Sequence, residues 1–192
     1  MRLLLVRHGE TAANAARRLQ GDSDVPLSGA GRAGARDLGP LVASYRPEHV
    51  VVSPLDRTRE TARLLGVSPD RVDPRWQEAD LGQWTDRFVD DLPAAEYAAW
   101  RAGELTPPGG ESFAGMTARV TGALADLPGD GVVLVVTHGG PIRAVLDHLL
   151  GLRPSRLVPV GPASLTVLDH DGGGTRLRAY NLGGPVSGVP VG

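Results

Sequence analysis

Two histidines and two arginines stand in short polar strings that follow apolar runs: Arg7-His8-Gly9-Glu10-Thr11, Ser53-Pro54-Leu55-Asp56-Arg57 and Thr137-His138-Gly139-Gly140. The chemistry they suit is narrow. Two guanidiniums at one locus neutralise and orient a tetrahedral oxyanion through paired N–H donors. Helix N-termini following His8, Ser53 and Gly140 add backbone donors and positive dipole ends. An imidazole titrating near pH ~6.5 is partly neutral at pH 7, and flanking cations favour that form, so one ring nitrogen can act as a nucleophile. Metal binding is the rival use of paired histidines. The flanking arginines repel a cation and no carboxylate cluster accompanies the pair, so no metal site is expected. A nucleotide P-loop is excluded, because no glycine-rich loop ends in Gly-Lys-Ser/Thr. A departing alkoxide also needs a proton, so a carboxylic acid must face the same pocket. The first candidate is Glu78, in Trp76-Gln77-Glu78-Ala79-Asp80-Leu81-Gly82-Gln83-Trp84, where aromatic and apolar neighbours can keep a carboxyl protonated. Asp80 and Glu10 are its rivals.

These residues need elements that deliver them to one place. Arg2–Val6 and Val132–Val136 are nearly continuous apolar runs, as expected of strands covered on both faces. His49–Val52 reads as a third strand and Arg71–Asp73 as a weak fourth. Ser164–Asp169 and Thr175–Tyr180, joined through Asp171-Gly172, read as a closing hairpin. Ile142, Val145, Leu146, Leu149 and Leu150 keep one helical face with Gly151 placed to end it, and Met116, Val120, Leu124 and Leu127 form another stripe. Ser53-Pro54-Leu55-Asp56 reads as an N-cap, a proline at the first helical position and an acid. Ser28 to Tyr45 reads as helical, with Pro40 expected to kink or restart it. Strands alternating with helices predict an α/β fold, a three-layer α/β/α sandwich with a mostly parallel central sheet and an antiparallel edge strand. Ligands of such sheets bind beyond the carboxyl ends of the strands, which is where both histidines and both arginines fall.

The 192 residues suit one domain over 1–182, with a small insertion around 85–110 and a flexible tail over 183–192. Apolar residues make up 41% and charged residues 22%, an ordinary globular balance. No apolar run approaches the roughly 18 residues of a membrane span, and Arg7 comes too early for a signal-peptide core. With no cysteine there is no thiol nucleophile or thiolate metal site, and a net charge of −2 gives no reason to expect nucleic acid or a membrane as partner. A cytoplasmic protein is expected, as monomer or homodimer.

The strings, taken in order, resemble the histidine phosphatase superfamily, also called the phosphoglycerate mutase-like fold. Leu5 through Thr11 is similar to its signature. Asn14 follows at the family's usual place, and Gln20-Gly21 and Asp24-Val25-Pro26-Leu27-Ser28 resemble the phosphatase branch. Ser53 through Ala62 matches the second arginine motif, Glu78 through Trp84 the acid segment, Pro108-Gly109-Gly110-Glu111-Ser112 a further element, and Thr137-His138-Gly139-Gly140 the second histidine motif. The resemblance implies that His8 is the nucleophile and forms a phosphohistidine. It implies that Arg7, Arg57 and His138 complete the phosphate pocket, and that Glu78 protonates the leaving oxygen and then activates water. Asn14, Gln20, Gly21 and the Gly139 backbone would line the substrate site. No cofactor is implied, and the partner would be a small phosphorylated metabolite. Relatives often carry Glu-Gly where Thr85-Asp86 stand, so position 85, at the expected substrate entrance, transfers no specificity. A phosphoglycerate mutase-type transfer and a non-catalytic phosphate-ester-binding regulator are the alternatives. His49, His148 and His170 read as structural or surface residues. Arg17, Arg18, Arg59 and Arg63 read as solvated helix faces, with Arg59 able to reach a second acidic group. Trp76, Trp84 and Trp100 read as core or as a pocket wall.

Overall fold

Alternation of side chains along buried strands dictates the layering. In the computed structural model, which describes residues 1–171 and 173–183, Leu3, Leu4, Leu5 and Val6 of β1 (Arg2–Arg7) are all fully buried. Leu3 and Leu5 point into a core shared with Met116, Val120, Ile142 and Val145, whereas Leu4 and Val6 point into one shared with Leu38, Val42, Ala62 and Leu65. A strand that is apolar at every position thus serves two cores at once, and a three-layer α/β/α sandwich results.

The sheet holds β1, β2 (His49–Val52), β3 (Arg71–Val72), β4 (Val132–Thr137), β5 (Leu165–Asp171) and β6 (Gly174–Leu182), in the spatial order β3-β2-β4-β1-β5-β6. The first four are mutually parallel, β5 runs antiparallel to β1, and β6 pairs antiparallel with β5 at the edge. Gly172, in the expected hairpin turn, and 184–192 of the expected tail lie outside the described residues.

The helices are α1 (Ala12–Ala15), α2 (Gly29–Ser44), α3 (Asp56–Leu65), α4 (Ala94–Ala102), α5 (Phe113–Ala125) and α6 (Gly139–Leu150). The α2 and α3 helices cover one face of the sheet, and α5 and α6 the other. The α6 helix ends at Gly151 in the left-handed conformation its sequence foretells. Two local expectations need correcting. The α2 helix does not restart at Pro40 but continues through it, with that proline at an exposed position where solvent can take the place of the missing N–H donor. Ser53 does not cap α3: that helix starts at Asp56, whose N–H donates to the Asp24 carboxylate at 2.9 and 3.0 Å, and Ser53 serves the site instead.

Strands β2, β4 and β1 are adjacent and parallel, with Val52 beside Val136 and Arg7 beside Thr137. Their carboxyl ends therefore deliver Ser53, His138 and His8 to one edge. From β1 the chain turns toward the α2 layer and from β4 toward the α6 layer, and this divergence opens a crevice between the two strand ends. No helix among the described residues is long and apolar enough to cross a membrane.

Candidate active site

His8 is 3% exposed at the mouth of β1. Its Nδ1 lies 2.7 Å from the Gly9 carbonyl oxygen, an acceptor only, so Nδ1 carries the proton and donates, leaving the Nε2 lone pair free. Burial first, then the charges of Arg7 and Arg57, hold the ring's pKa well below the ordinary histidine range, so the imidazole is neutral at pH 7.

His138 is fully buried, with its ring centroid 5.1 Å from that of His8. Arg57 Nε can only donate and lies 3.3 Å from His138 Nδ1, so that nitrogen accepts. The proton then sits on Nε2 and is donated to Ser53 Oγ at 2.8 Å. Both nitrogens are engaged, and His138 is not itself on the cavity wall: it stands behind Arg57 and His8, which are. Burial, with Arg57 and His8 adding to it, depresses its pKa strongly too.

Arg57 is 1% exposed and fixed on three sides: Nε on His138, Nη2 on the Gly21 carbonyl at 2.7 Å, and Nη1 on the Ser23 carbonyl. Arg7 donates Nη1 to the Val160 carbonyl, while its buried Nε has no protein partner. Burial lowers the Arg7 pKa to about 10, which leaves the guanidinium charged at pH 7.

Glu78 reaches the crevice from the loop after β3. Its Oε1 accepts the Ala79 N–H at 3.0 Å and its Oε2 the Gly140 N–H at 3.2 Å. Position 140 has to be glycine, because a Cβ there would fall 2.1 Å from Glu78 Oε1 and 2.8 Å from Met116 Sδ. The loop itself is clamped. Arg119 of α5 donates to the carbonyls of Arg75 and Gln77 at 2.8 Å and of Glu78 at 3.3 Å, and grips Glu111 through two bonds of 2.7 Å. The Pro108–Ser112 string docks on the same loop, with Gln83 N–H on the Pro108 carbonyl at 2.9 Å and Glu111 N–H on the Asp80 carbonyl at 2.8 Å. That approach admits no side chain at Gly82, whose Cβ would meet the Pro108 oxygen at 2.4 Å.

Arg7, His8, Arg57 and Glu78 share one cavity of about 590 Å³, also lined by Asn14, Gln20, Gly21 and Gly139. Asn14 Oδ1 accepts the Thr11 N–H at 3.1 Å, and the single Thr11 hydroxyl hydrogen lies between Gln20 Oε1 at 2.9 Å and Asn14 Oδ1 at 3.1 Å, so Thr11 ties both to the wall. Of the rival acids, Glu10 lines the cavity and accepts the Ser28 hydroxyl, whereas Asp80 is exposed and accepts the Gly82 N–H. Thr85 is not on the wall, nor is Arg59, which is exposed on α3. Arg17 and Arg18 do line it, paired outward with Asp90 and Asp86. Trp76 and Trp84 are core residues, while Trp100 lines the cavity. His49 and His148 are exposed and His170 bonds Thr175, all away from the site. Among the described residues no three His, Asp or Glu side chains are grouped to hold a metal ion.

Sequence reasoning missed Arg143, which is 6% exposed on the cavity wall, and Arg101 beside it. A signal existed: Arg143 is the only charge in the stretch Gly139–Leu146 of a helix that starts at the site, and it lies one turn from Gly139 and Gly140.

The profile of the histidine phosphatase superfamily (branch 1) matches residues 3–183. A protein of Enterobacter sp. (strain 638) named "Probable phosphoglycerate mutase GpmB" is 37% identical over 164 residues, spanning 79% of this chain and 76% of that one. Among solved structures, the mycobacterial glucosyl-3-phosphoglycerate phosphatase complexed with VO3 superposes with a TM-score of 0.83 at 35% identity. That match covers 94% of this chain and 98% of the other. The Thermus thermophilus protein TTHB049 gives 0.79 at 34% identity with the same coverage.

Proposed function

The chain belongs to branch 1 of the histidine phosphatase superfamily, and from that premise we propose that it is a metal-independent phosphatase acting on small-molecule phosphomonoesters through a phosphohistidine on His8. The observation that carries the proposal is the state of His8. A neutral ring with Nδ1–H on the Gly9 carbonyl offers an Nε2 lone pair in a cavity shared with Arg7 and Arg57. In the first step that lone pair forms a bond to phosphorus and the bond to the ester oxygen breaks. The electron pair leaves with the alkoxide, which takes a proton from the Glu78 carboxyl. In the second step Glu78 takes a proton from water, the oxygen attacks phosphorus, and the P–N bond returns its pair to Nε2. Arg7 and Arg57 compensate the charge on the transferring oxygens, and most of the catalysis is positioning and electrostatics.

The test is hydrolysis of p-nitrophenyl phosphate in EDTA, with acid-quench trapping of the phosphoenzyme. His8→Ala should lose turnover by at least about 10³-fold together with the trapped phosphate. Retained turnover in that variant, or loss of wild-type turnover on chelation, defeats the assignment. The name of the Enterobacter relative favours a second reading, phosphoryl transfer between hydroxyls of phosphoglycerate. Incubation with 3-phosphoglycerate separates the two: free phosphate means hydrolysis, 2-phosphoglycerate means transfer.

A further inference from the structure

We propose that Asn181, on the edge strand β6, is a positioning residue that aims the Arg7 guanidinium at the transferring phosphoryl group. The inference rests on the reading above, in which Arg7 compensates the charge of that group. Arg7 donates Nη1 to the Val160 carbonyl, while its buried Nε has no protein partner and is left for the ligand. The direction of this planar fork therefore follows the position of one carbonyl. Val160 lies on the cavity wall within 157–164, a stretch with neither helix nor strand, so its carbonyl must be held from outside that stretch.

The β6 strand supplies the hold. Where β5 passes from Leu165 to Val167, β6 passes from Leu182 to Ala179, one residue more, and Asn181 stands in that bulge in the left-handed conformation with φ 61°. A bulge re-aims a side chain, and asparagine is among the few residues with a side chain that adopt this backbone readily. The Asn181 amide turns onto the loop and meets opposite groups with its two ends. The Gly161 N–H can only donate and lies 2.6 Å from Oδ1, and the Pro159 carbonyl can only accept and lies 3.0 Å from Nδ2. The Gly161 N–H and the Val160 carbonyl belong to one peptide unit. Asn181 therefore grips by its nitrogen the same unit that Arg7 grips by its oxygen, and the two bonds polarise one another. Tyr180 Oη on the Val158 carbonyl at 2.5 Å and Ser164 Oγ on the Gly161 carbonyl at 2.6 Å fix the loop on either side, and neither touches that unit.

Isothermal titration with orthovanadate, a trigonal-bipyramidal mimic of the transferring group, reads this without turnover. The hydrolysis reading stands or falls separately, with His8→Ala. Asn181→Gly removes the amide and leaves the left-handed backbone free of strain. With Arg7 present it should raise the vanadate Kd by about tenfold, since a misplacement of about 1 Å is already costly at a reacting centre. In an Arg7→Gln background the same change should raise Kd by less than about twofold, because the group that Asn181 aims is gone. A merely structural asparagine would lower the urea midpoint and shift Kd alike in both backgrounds. An unchanged Kd with Arg7 present, or the same increase with and without Arg7, overturns the proposal. Should Asn181→Gly fail to fold, Asn181→Ser, whose hydroxyl is too short to span Pro159 and Gly161, must raise Kd with Arg7 present and not in Arg7→Gln. Equal changes in the two backgrounds count against Asn181.

Discussion

At the scale of single residues, the site is governed by which nitrogen holds which proton. The Gly9 carbonyl and Arg57 Nε fix opposite tautomers on two imidazoles whose centroids are 5.1 Å apart, so one ring keeps an open lone pair and the other keeps none. Ser53 completes the second of these. Ser53→Ala would leave the buried His138 Nε2–H without its acceptor, at a cost of about 1–3 kcal/mol, read as a lower urea midpoint with an unchanged m-value. A cost near zero would mean that His138 takes the other tautomer. Gly140 tests the acid. In Gly140→Ala the new Cβ would need the space now held by Glu78 Oε1, so the carboxyl must move. Alkyl phosphates, whose leaving oxygen needs the proton, should lose about 10²-fold in kcat/KM, and p-nitrophenyl phosphate far less. Equal losses on both would argue against Glu78 as proton donor. Both histidines and both arginines were legible from sequence because each follows or opens an element with an unambiguous pattern. The wiring of Ser53 was not, since a serine before Pro54 at a helix start satisfies the capping pattern equally well.

At the scale of elements, the acid loop is held by α5 rather than by its own structure. Its 3-10 turns at Pro74–Trp76 and Gly82–Trp84 are too short to stand alone, and Arg119 gathers three of its carbonyls while Glu111 holds Arg119. The Pro108–Ser112 string therefore works at a distance from the reacting atoms: it docks on the loop, supplies Glu111, and caps α5 through Ser112. Arg119→Met should release the loop from a position that does not itself line the cavity. The expected result is a kcat loss of about tenfold or more on alkyl phosphates and a smaller one on p-nitrophenyl phosphate. Arg119→Lys should restore little, because one ammonium cannot serve both the carbonyls and the carboxylate fork. A uniform loss across leaving groups would place Arg119 in stability alone. Sequence periodicity located α5 through Met116, Val120 and Leu124, but an arginine on its flank reads as solvated until the loop it grips is in place.

For the whole molecule, strand patterning carried the layers because Leu3–Val6 and Val133–Val136 are buried on both faces. It did not carry the wall built from α4, where Tyr97, Trp100 and Arg101 sit in a segment with no buried residue and only a weak apolar stripe. The architecture also has a pH consequence. Delivering three strand ends to one crevice buries two neutral imidazoles among arginines, and both have depressed pKa values in the folded state. In the unfolded chain each takes up a proton near pH ~6.5. Below that pH the unfolded state therefore binds more protons than the native state, and stability must fall as the solution is acidified. The loss amounts to about 1.4 kcal/mol per pH unit for each histidine until its folded-state pKa is reached, with no contribution from either above pH ~7.5. Urea denaturation between pH 5 and 8 measures the slope, and His8→Gln should remove about half of the contribution made by the pair. If that variant keeps the full wild-type slope, His8 is charged in the folded protein at mildly acid pH. Its lone pair would then be unavailable over the range in which the buried arginines are meant to keep it free.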